Sequence, residues 1–334
     1  MTSAPLPLGL EVLADQPSLA PRGLVATGRA LGIAGAVLTG VGAASLAWGS
    51  LERRLPVLRR LTIDVPAHRG IAPLSILHVS DLHLYPGQEF LVDFLHEVAA
   101  AERIDLVVST GDNFGLAEGL ELVEAAYEPL LDRPGVFVLG SNDYYSARRK
   151  AWGSYLLGAS KPPTRTIPDI PWTAMTKRFR DAGWLDLSNR AGALSVPLRG
   201  ESGGEQVVSF LGTDDAHINR DRIVDPEAQW ASDSTLRLGV THAPYTRVLN
   251  AMTTAGADLV LAGHTHGGQI GIPGFGAIIT NCDIDRRYAK GLRRWTSGTR
   301  TSLLHVSAGL GTSPFAPIRI ATRPEATLLT IRSV

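Results

Sequence analysis

A single cysteine, Cys282, stands among 334 residues, so no intramolecular disulfide can staple the fold. No catalytic context surrounds that thiol, and it reads as a buried apolar residue rather than a nucleophile. Excess charge of one sign is also missing: 32 basic residues balance 32 acidic ones, which removes the electrostatic footprint of a nucleic-acid binder. The glycine-rich stretch Ser307 to Thr312 lacks the lysine of a phosphate-cradling loop. Internal repeats and long low-complexity tracts are absent, and no twin-arginine pair precedes the apolar N-terminal run. What remains is a balanced, globular composition with about 270 residues after the N-terminal region, ample for a two-layer core.

Against that background five short acidic and histidine motifs lie between Asp81 and His266. They are Asp81-Leu82-His83, Gly111-Asp112-Asn113, Gly140-Ser141-Asn142-Asp143, Thr241-His242-Ala243-Pro244 and Gly263-His264-Thr265-His266. Each follows a run that reads as a buried strand: Ser75–Ser80, Leu106–Thr110, Val136–Leu139, Leu236–Val240 and Leu259–Ala262. Groups just beyond strand ends converge at one edge of a sheet, where α/β folds place their sites. Carboxylates with imidazoles suit Mn, Fe or Zn, whereas an all-oxygen set favours Mg or Ca. A two-residue spacing on extended chain points Asp81 and His83 the same way, and His264 and His266 repeat it. Asp112, alone after a glycine, suits a carboxylate shared between two ions. Singly each motif has a structural reading, a turn or a solvated loop. Their order and common placement at strand ends make a two-metal hydrolytic site the better account.

This order resembles the signature of the calcineurin-like metallophosphoesterases, and the blocks Ser80-Asp81-Leu82-His83-Leu84 and Gly263-His264-Thr265-His266-Gly267-Gly268-Gln269 resemble their membrane-associated bacterial branch. The likeness runs from about Leu61 to Val334. It implies a four-layer αββα sandwich, two packed β-sheets with helices outside each. It also implies two divalent ions, the first held by Asp81, His83, Asp112 and His266, the second by Asp112, Asn142, His242 and His264. The reaction implied is hydrolysis of a phosphate ester or anhydride bond, with a bridging hydroxide as attacking group.

One motif departs from the family pattern, which has Gly-Asn-His-Asp where this chain has Gly140-Ser141-Asn142-Asp143. Without a gap, Ser141 replaces the asparagine and Asn142 the histidine. One residue later, Asn142 is the ligand and Asp143 stands for the histidine. An amide oxygen is the better metal donor, which favours Asn142 as ligand. Neither register restores a histidine, so Asn142 and Asp143 are the candidate catalytic residues here. Asn113, Ser141, Asp215 and His217 are candidates for the site rim. His78 and His305 lie inside strand-like runs, His96 on an amphipathic helix and His68 in a loop; all four read as packing or surface residues.

The N-terminus carries the other strong signal. Ala30 to Leu51 is free of charge for 22 positions, long enough as a helix to cross a bilayer. The rival, a signal peptide cleaved after Ser45-Leu46-Ala47, needs a shorter and less acidic leader than one carrying Glu11 and Asp15. The expected organisation is a tail over 1–29, a transmembrane anchor over 30–51, a linker with the first strand region over 52–70, and a metallophosphoesterase domain over 71–334. Arg53, Arg54, Arg59 and Arg60 outnumber Arg22 and Arg29, which places the catalytic domain on the cytoplasmic face. Gly32, Ala36, Gly40 and Ala44 form a ridge that is either a homodimer contact or a by-product of composition. Amphipathic helices are expected over Glu89–Arg103 and Leu120–Leu131, and an irregular insertion over Tyr144–Asn189. In that insertion Arg148-Arg149-Lys150, Trp152, Tyr155 and Trp172 form either a substrate lip or a self-packed loop.

The expected partners are a phosphorylated small molecule or lipid, and the membrane. Two rival functions stay in view: a pyrophosphohydrolase acting on a lipid-linked or nucleotide diphosphate, and a non-catalytic metal-binding membrane scaffold.

Overall fold

Residues 39–149, 165–198, 204–223 and 230–334 are described by the computed structural model. The chain divides into one unit ending at Leu46 and another over Ala47–Val334. Residues 39–52 are helical, and those of the first unit are mostly exposed. The uncharged run expected to span a bilayer begins outside the described residues, and among those described no helix is long and apolar enough to cross a membrane.

Two six-stranded sheets organise the second unit. The strands of the first are β1 (Val57–Val65), β2 (Leu74–Val79), β3 (Leu106–Ser109), β4 (Gly135–Phe137) and β5 (Leu185–Asp186), with β14 (Glu325–Ser333) inserted between β1 and β2. The second sheet holds β6 (Ala191–Pro197), β7 (Glu205–Gly212), β8 (Leu236–Val240), β9 (Leu259–Ala262), β12 (Gly291–Ser297) and β13 (Arg300–Val306). A small hairpin of β10 (Gly271–Ile272) and β11 (Gly276–Ala277) stands apart. Strands β2, β3 and β4 run parallel, as do β7, β8, β9 and β13, so each sheet gathers several strand C-termini along one edge.

Alternation along the strands fixes what each face buries. Leu74 and Ile76 of β2 join Leu106, Val108, Val208, Phe210, Leu238 and Leu261 in a cluster drawn from both sheets. Leu77 and Val79 point the other way, to a cluster shared with α1 (Glu89–Ala101), α2 (Leu120–Tyr127) and α4 (Trp172–Asp181). In α1 the buried stripe is Leu91, Val92, Leu95, Val98 and Ala99, with Phe90 and Phe94 half-buried beside it. The outer face of the second sheet packs Val260, Leu304 and Val306 against Val248, Leu249 and Met252 of α5 (Thr246–Ala255). A short helix, α3 (Ser141–Tyr144), follows β4.

Candidate metal centre

All five motifs leave the C-terminal ends of strands: β2, β3 and β4 in one sheet, β8 and β9 in the other. The chain beyond them is not extended. Asp81, His83, Asp112, His264 and His266 have φ of 51°, 43°, 56°, 69° and 50°, half of the ten left-handed non-glycine residues described. Asp81 with His83, and His264 with His266, therefore do not converge by strand alternation. Their convergence comes from tight left-handed turns, a conformation non-glycine residues adopt only when the surroundings impose it. The stitching is visible: Asp81 N donates to Gly111 O, His83 N to Asp112 O and Leu84 N to Asn113 O. Gly311 N donates back to Asp81 O, so the glycine-rich stretch after β13 braces the loop from the other side. A Cβ at Gly263 would overlap Ser80 Oγ and lie 2.5 Å from Asp81 Oδ2, which is why only glycine fits there.

The seven residues expected as ligands come together. Asp81, His83 and His266 bring their donor atoms within 4.8 Å of one another, and so do Asp81, Asp112 and His242. His83 Nε2 and His266 Nε2 face each other at 3.1 Å. Asp112 spans the two groups, with Oδ2 3.5 Å from His83 Nε2 and Oδ1 3.5 Å from His242 Nε2. Asn142 lies on this carboxylate, its backbone N 2.7 Å from Oδ1 and its Nδ2 2.7 Å from Oδ2. His264 Nδ1 is 3.3 Å from His242 Nε2. Asp81 belongs to both groups as well, so two carboxylates, not one, lie where a shared ligand would.

This donor set fits divalent cations. Buried imidazole nitrogens and carboxylate oxygens converge, and second partners hold the rings in place. His242 Nδ1 donates to Thr110 O at 2.7 Å, which leaves Nε2 for the centre, and His264 Nε2 meets Asn281 O at 3.1 Å, which leaves Nδ1. Burial, which would raise the pKa of Asp112, is outweighed by His242, by His83 and by the Asn142 N–H, so the carboxyl sits well below its usual range. His242 is the complement: burial lowers it, but Asp112, Asp215 and Asp81 raise it well above the ordinary imidazole value. Burial lowers His83, His264 and His266, keeping those rings neutral.

Asp143, a candidate catalytic residue, has both carboxylate oxygens taken up as hydrogen-bond acceptors. Its Oδ2 accepts N–H groups from Asp112 (2.8 Å) and Gly140 (2.9 Å), and its Oδ1 accepts from Asn113 N (2.8 Å) and Asn113 Nδ2 (3.1 Å). Burial and Asp112 push its pKa up to about 7, but every hydrogen bond it makes favours the charged, accepting form. Asp143 thus clamps the second motif to the third. Each buried donor left unmatched costs about 1–3 kcal/mol. Asp143→Asn is accordingly expected to unfold at clearly lower denaturant and to lose the same fraction of kcat with good and poor leaving groups. A loss confined to poor leaving groups would assign it an acid role instead.

The rim candidates divide. Asn113 is buried beneath the site, its Oδ1 accepting from Tyr127 at 2.8 Å, and Ser141 is buried beside Asn142. His217 has its ring centre 4.6 Å from that of His264, tilted by 43°, and meets Tyr245 OH at 3.1 Å. Asp215 is fully buried, with Oδ1 accepting from His217 N and Oδ2 without a hydrogen-bond partner among the described residues. Burial and Asp112 push it to about 7 despite the opposing pull of His242. Trp172 packs on Tyr144, Arg148 and Arg149 are exposed, and the rest of the expected lip, Lys150, Trp152 and Tyr155, lies outside the described residues. Cys282 is half-buried, its thiol pushed to about 12 mainly by burial, as expected of a non-nucleophile.

Two supports carry no signal in the sequence. Arg319 is fully buried, donates to the carbonyls of Ala308 and Gly311, and places Nη2 3.1 Å from His266 Nδ1. Its segment is held in turn by Glu52, whose carboxylate accepts from Trp48 Nε1 (2.8 Å), Ala321 N (3.0 Å) and Thr322 N (2.7 Å). The other support crosses the core between the sheets. His305 Nδ1 lies 2.9 Å from His78 Nδ1, His78 Nε2 2.9 Å from Thr110 Oγ1, Thr110 2.6 Å from Ser80 Oγ, and Ser80 2.5 Å from Asp81 Oδ2. With His305 donating, every proton in this chain points toward Asp81, a cooperative arrangement that holds a carboxylate.

Burial lowers both rings of that pair, His305 to about 3. A folded-state pKa below the unfolded value means that the unfolded chain takes up protons which the folded chain excludes. The stabilisation is complete above about pH 6.5 and is lost as pH falls from there toward 3 for His305. Chemical denaturation of metal-free protein should show stability declining by up to about 1.4 kcal/mol per pH unit for each such group. His305→Leu should flatten part of that slope; an unchanged slope would mean that the pair titrates alike in both states.

A profile described as calcineurin-like phosphoesterase matches residues 74–268, more than half of the chain. YpbG of Bacillus subtilis (strain 168) is 27% identical over 280 residues, covering 82% of this chain and 87% of that protein. The phosphodiesterase YaeI of Escherichia coli (strain K12) is 25% identical over 264 residues, 77% of this chain and 82% of YaeI. A Bos taurus transmembrane protein with a metallophosphoesterase domain is 24% identical over 279 residues, 81% of this chain and 56% of that protein.

Proposed function

We propose, from the premise that this chain belongs to the calcineurin-like phosphoesterase family, that its hydrolysis of phosphoric ester bonds depends on a dinuclear centre. The observation that carries this is Asp112, which faces His83 with one oxygen and His242 with the other. Asp81, His83, Asp112 and His266 would hold one ion, and Asp112, Asn142, His242 and His264 the other. Two divalent ions, Mn, Fe or Zn by the donor chemistry, would supply Lewis acidity and an activated water. The protein's own contribution is to hold those side chains in preset turns, to keep three imidazoles neutral by burial, and to exclude bulk water. The fold reading that goes with it is the four-layer αββα sandwich. The scaffold alternative is set aside, because the chain is an enzyme by family.

The uncharged run Ala30 to Leu51 and the likeness to a transmembrane relative support a single-pass anchor, with the catalytic domain on the cytoplasmic face by the arginine bias. An anchored enzyme makes a lipid-linked phosphoester or diphosphate a natural substrate class beside soluble ones. The test is metal content of purified full-length protein together with hydrolysis of one aryl monoester and one aryl diester. Two ions per chain and chelator-sensitive turnover are expected. Turnover that persists without metal would overturn the reading.

A further inference from the structure

Large apolar side chains are exposed on two elements that flank one short segment. At the end of the N-terminal helix these are Trp48, Leu51 and Leu55, at 54%, 50% and 38% exposure. On and just beyond the β10–β11 hairpin they are Ile272, Phe275 and Ile278, at 50%, 54% and 40%. Between the two lies 319–321: Arg319 N donates to Gly49 O and Ala321 N to Glu52 on one side, and Gly271 N donates to Ile320 O on the other. Arg286 stacks its guanidinium 3.4 Å from the centre of the Phe275 ring and donates to Phe275 O, yet that ring stays more than half exposed. Arg54, between Leu51 and Leu55 in the chain, and Arg286, against Phe275, are both exposed, as is Arg287, which lies 3.8 Å from Asp285.

Apolar tips with a cationic fringe are the composition of a surface that enters the headgroup layer of an anionic bilayer. Position argues for the same occupant, since the uncharged run Ala30 to Leu51 ends on this face. We infer that the β10–β11 hairpin and the helix end form a second contact with the membrane, seating Phe275 and Ile272 at the acyl–headgroup boundary. The hairpin begins five residues after His266, so this contact would hold the metal centre beside the lipid surface. The inference rests on the anchored reading above and adds a docked orientation to it.

The test uses the full-length chain in nanodiscs containing phosphatidylglycerol, with Cys282→Ser removing the only native thiol. A polarity-sensitive fluorophore is placed in separate variants at Val41→Cys, Phe275→Cys, Ile278→Cys and Thr299→Cys. Labels at 275 and 278 are expected to shift to the blue, to lose emission to spin-labelled lipid and to resist iodide, whereas the label at 299 should behave oppositely. If 41 is quenched by lipid but 275 and 278 are quenched only by iodide, the anchor stands and the docked face is overturned. Shielding of 275 and 278 from both quenchers would mean that protein covers the face, such as residues 1–38 or a second copy, and would overturn it too. Failure at 41 as well would remove the anchor itself.

Discussion

Asp112→Asn should lose hydrolysis and metal together. The carboxylate carries a charge between His83 and His242 and accepts two N–H groups from Asn142. An amide in its place halves the acceptors, turns an NH2 group toward donors already there, and removes the charge that two cations would share. Lewis-acid stabilisation of several kcal/mol is at stake, so kcat/KM should fall at least about 10³-fold. Metal per chain should drop in the same preparation. The wild-type protein should melt lower after chelation, since an ion bound only by the native state stabilises it, and the variant should respond little. Near-normal activity in Asp112→Asn would remove the two-ion assignment.

The second large effect concerns the leaving group. No histidine occupies the third motif, Asn142 has no titratable proton, and Asp143 has both oxygens committed to N–H donors. General-acid assistance is typically worth about 10²–10⁴-fold. Aryl oxides and phosphates should therefore leave far faster than alkoxides, and log kcat should fall steeply as leaving-group pKa rises across a series of esters. A flat dependence, with chemistry shown to limit the rate, would mean that another group donates. Asp215, buried with one oxygen unpartnered among the described residues, and His217, its ring 4.6 Å from that of His264, are the residues to replace next.

Much of the site is legible in the sequence because its scaffold is made of short apolar runs with sharp ends. Leu236–Val240 and Leu259–Ala262 match their strands to the residue, each closed by the polar residues that follow. Bringing the five motifs together needs parallel strands that end on one edge of each sheet, and the two sheets packed against each other. Other features have no local signature. The left-handed turns at Asp81, His83, Asp112, His264 and His266 are imposed by hydrogen bonds between distant loops, and a window of sequence contains none of those partners. Arg319 reaches His266 across 53 positions. His78 and His305 read as packing residues because each sits inside an apolar run; that they meet shows only once the two sheets face each other. Asp143 is ambiguous in sequence because a clamp and an acid are the same residue type.

Glu52 changes where the enzyme can be cut. By sequence the boundary between anchor and catalytic domain falls near Leu51, and a soluble fragment would naturally start with β1 at Val57. Such a fragment discards the acceptor of Ala321 N and Thr322 N and the Gly49 carbonyl that receives Arg319 N, three of the ties on the loop that touches His266. The last turn of the helix is thus a splint on the active-site wall, not a leash. A fragment beginning ahead of Trp48 keeps the splint and should retain the metal affinity of the whole chain. One beginning at Val57 should bind metal more weakly while keeping both sheets.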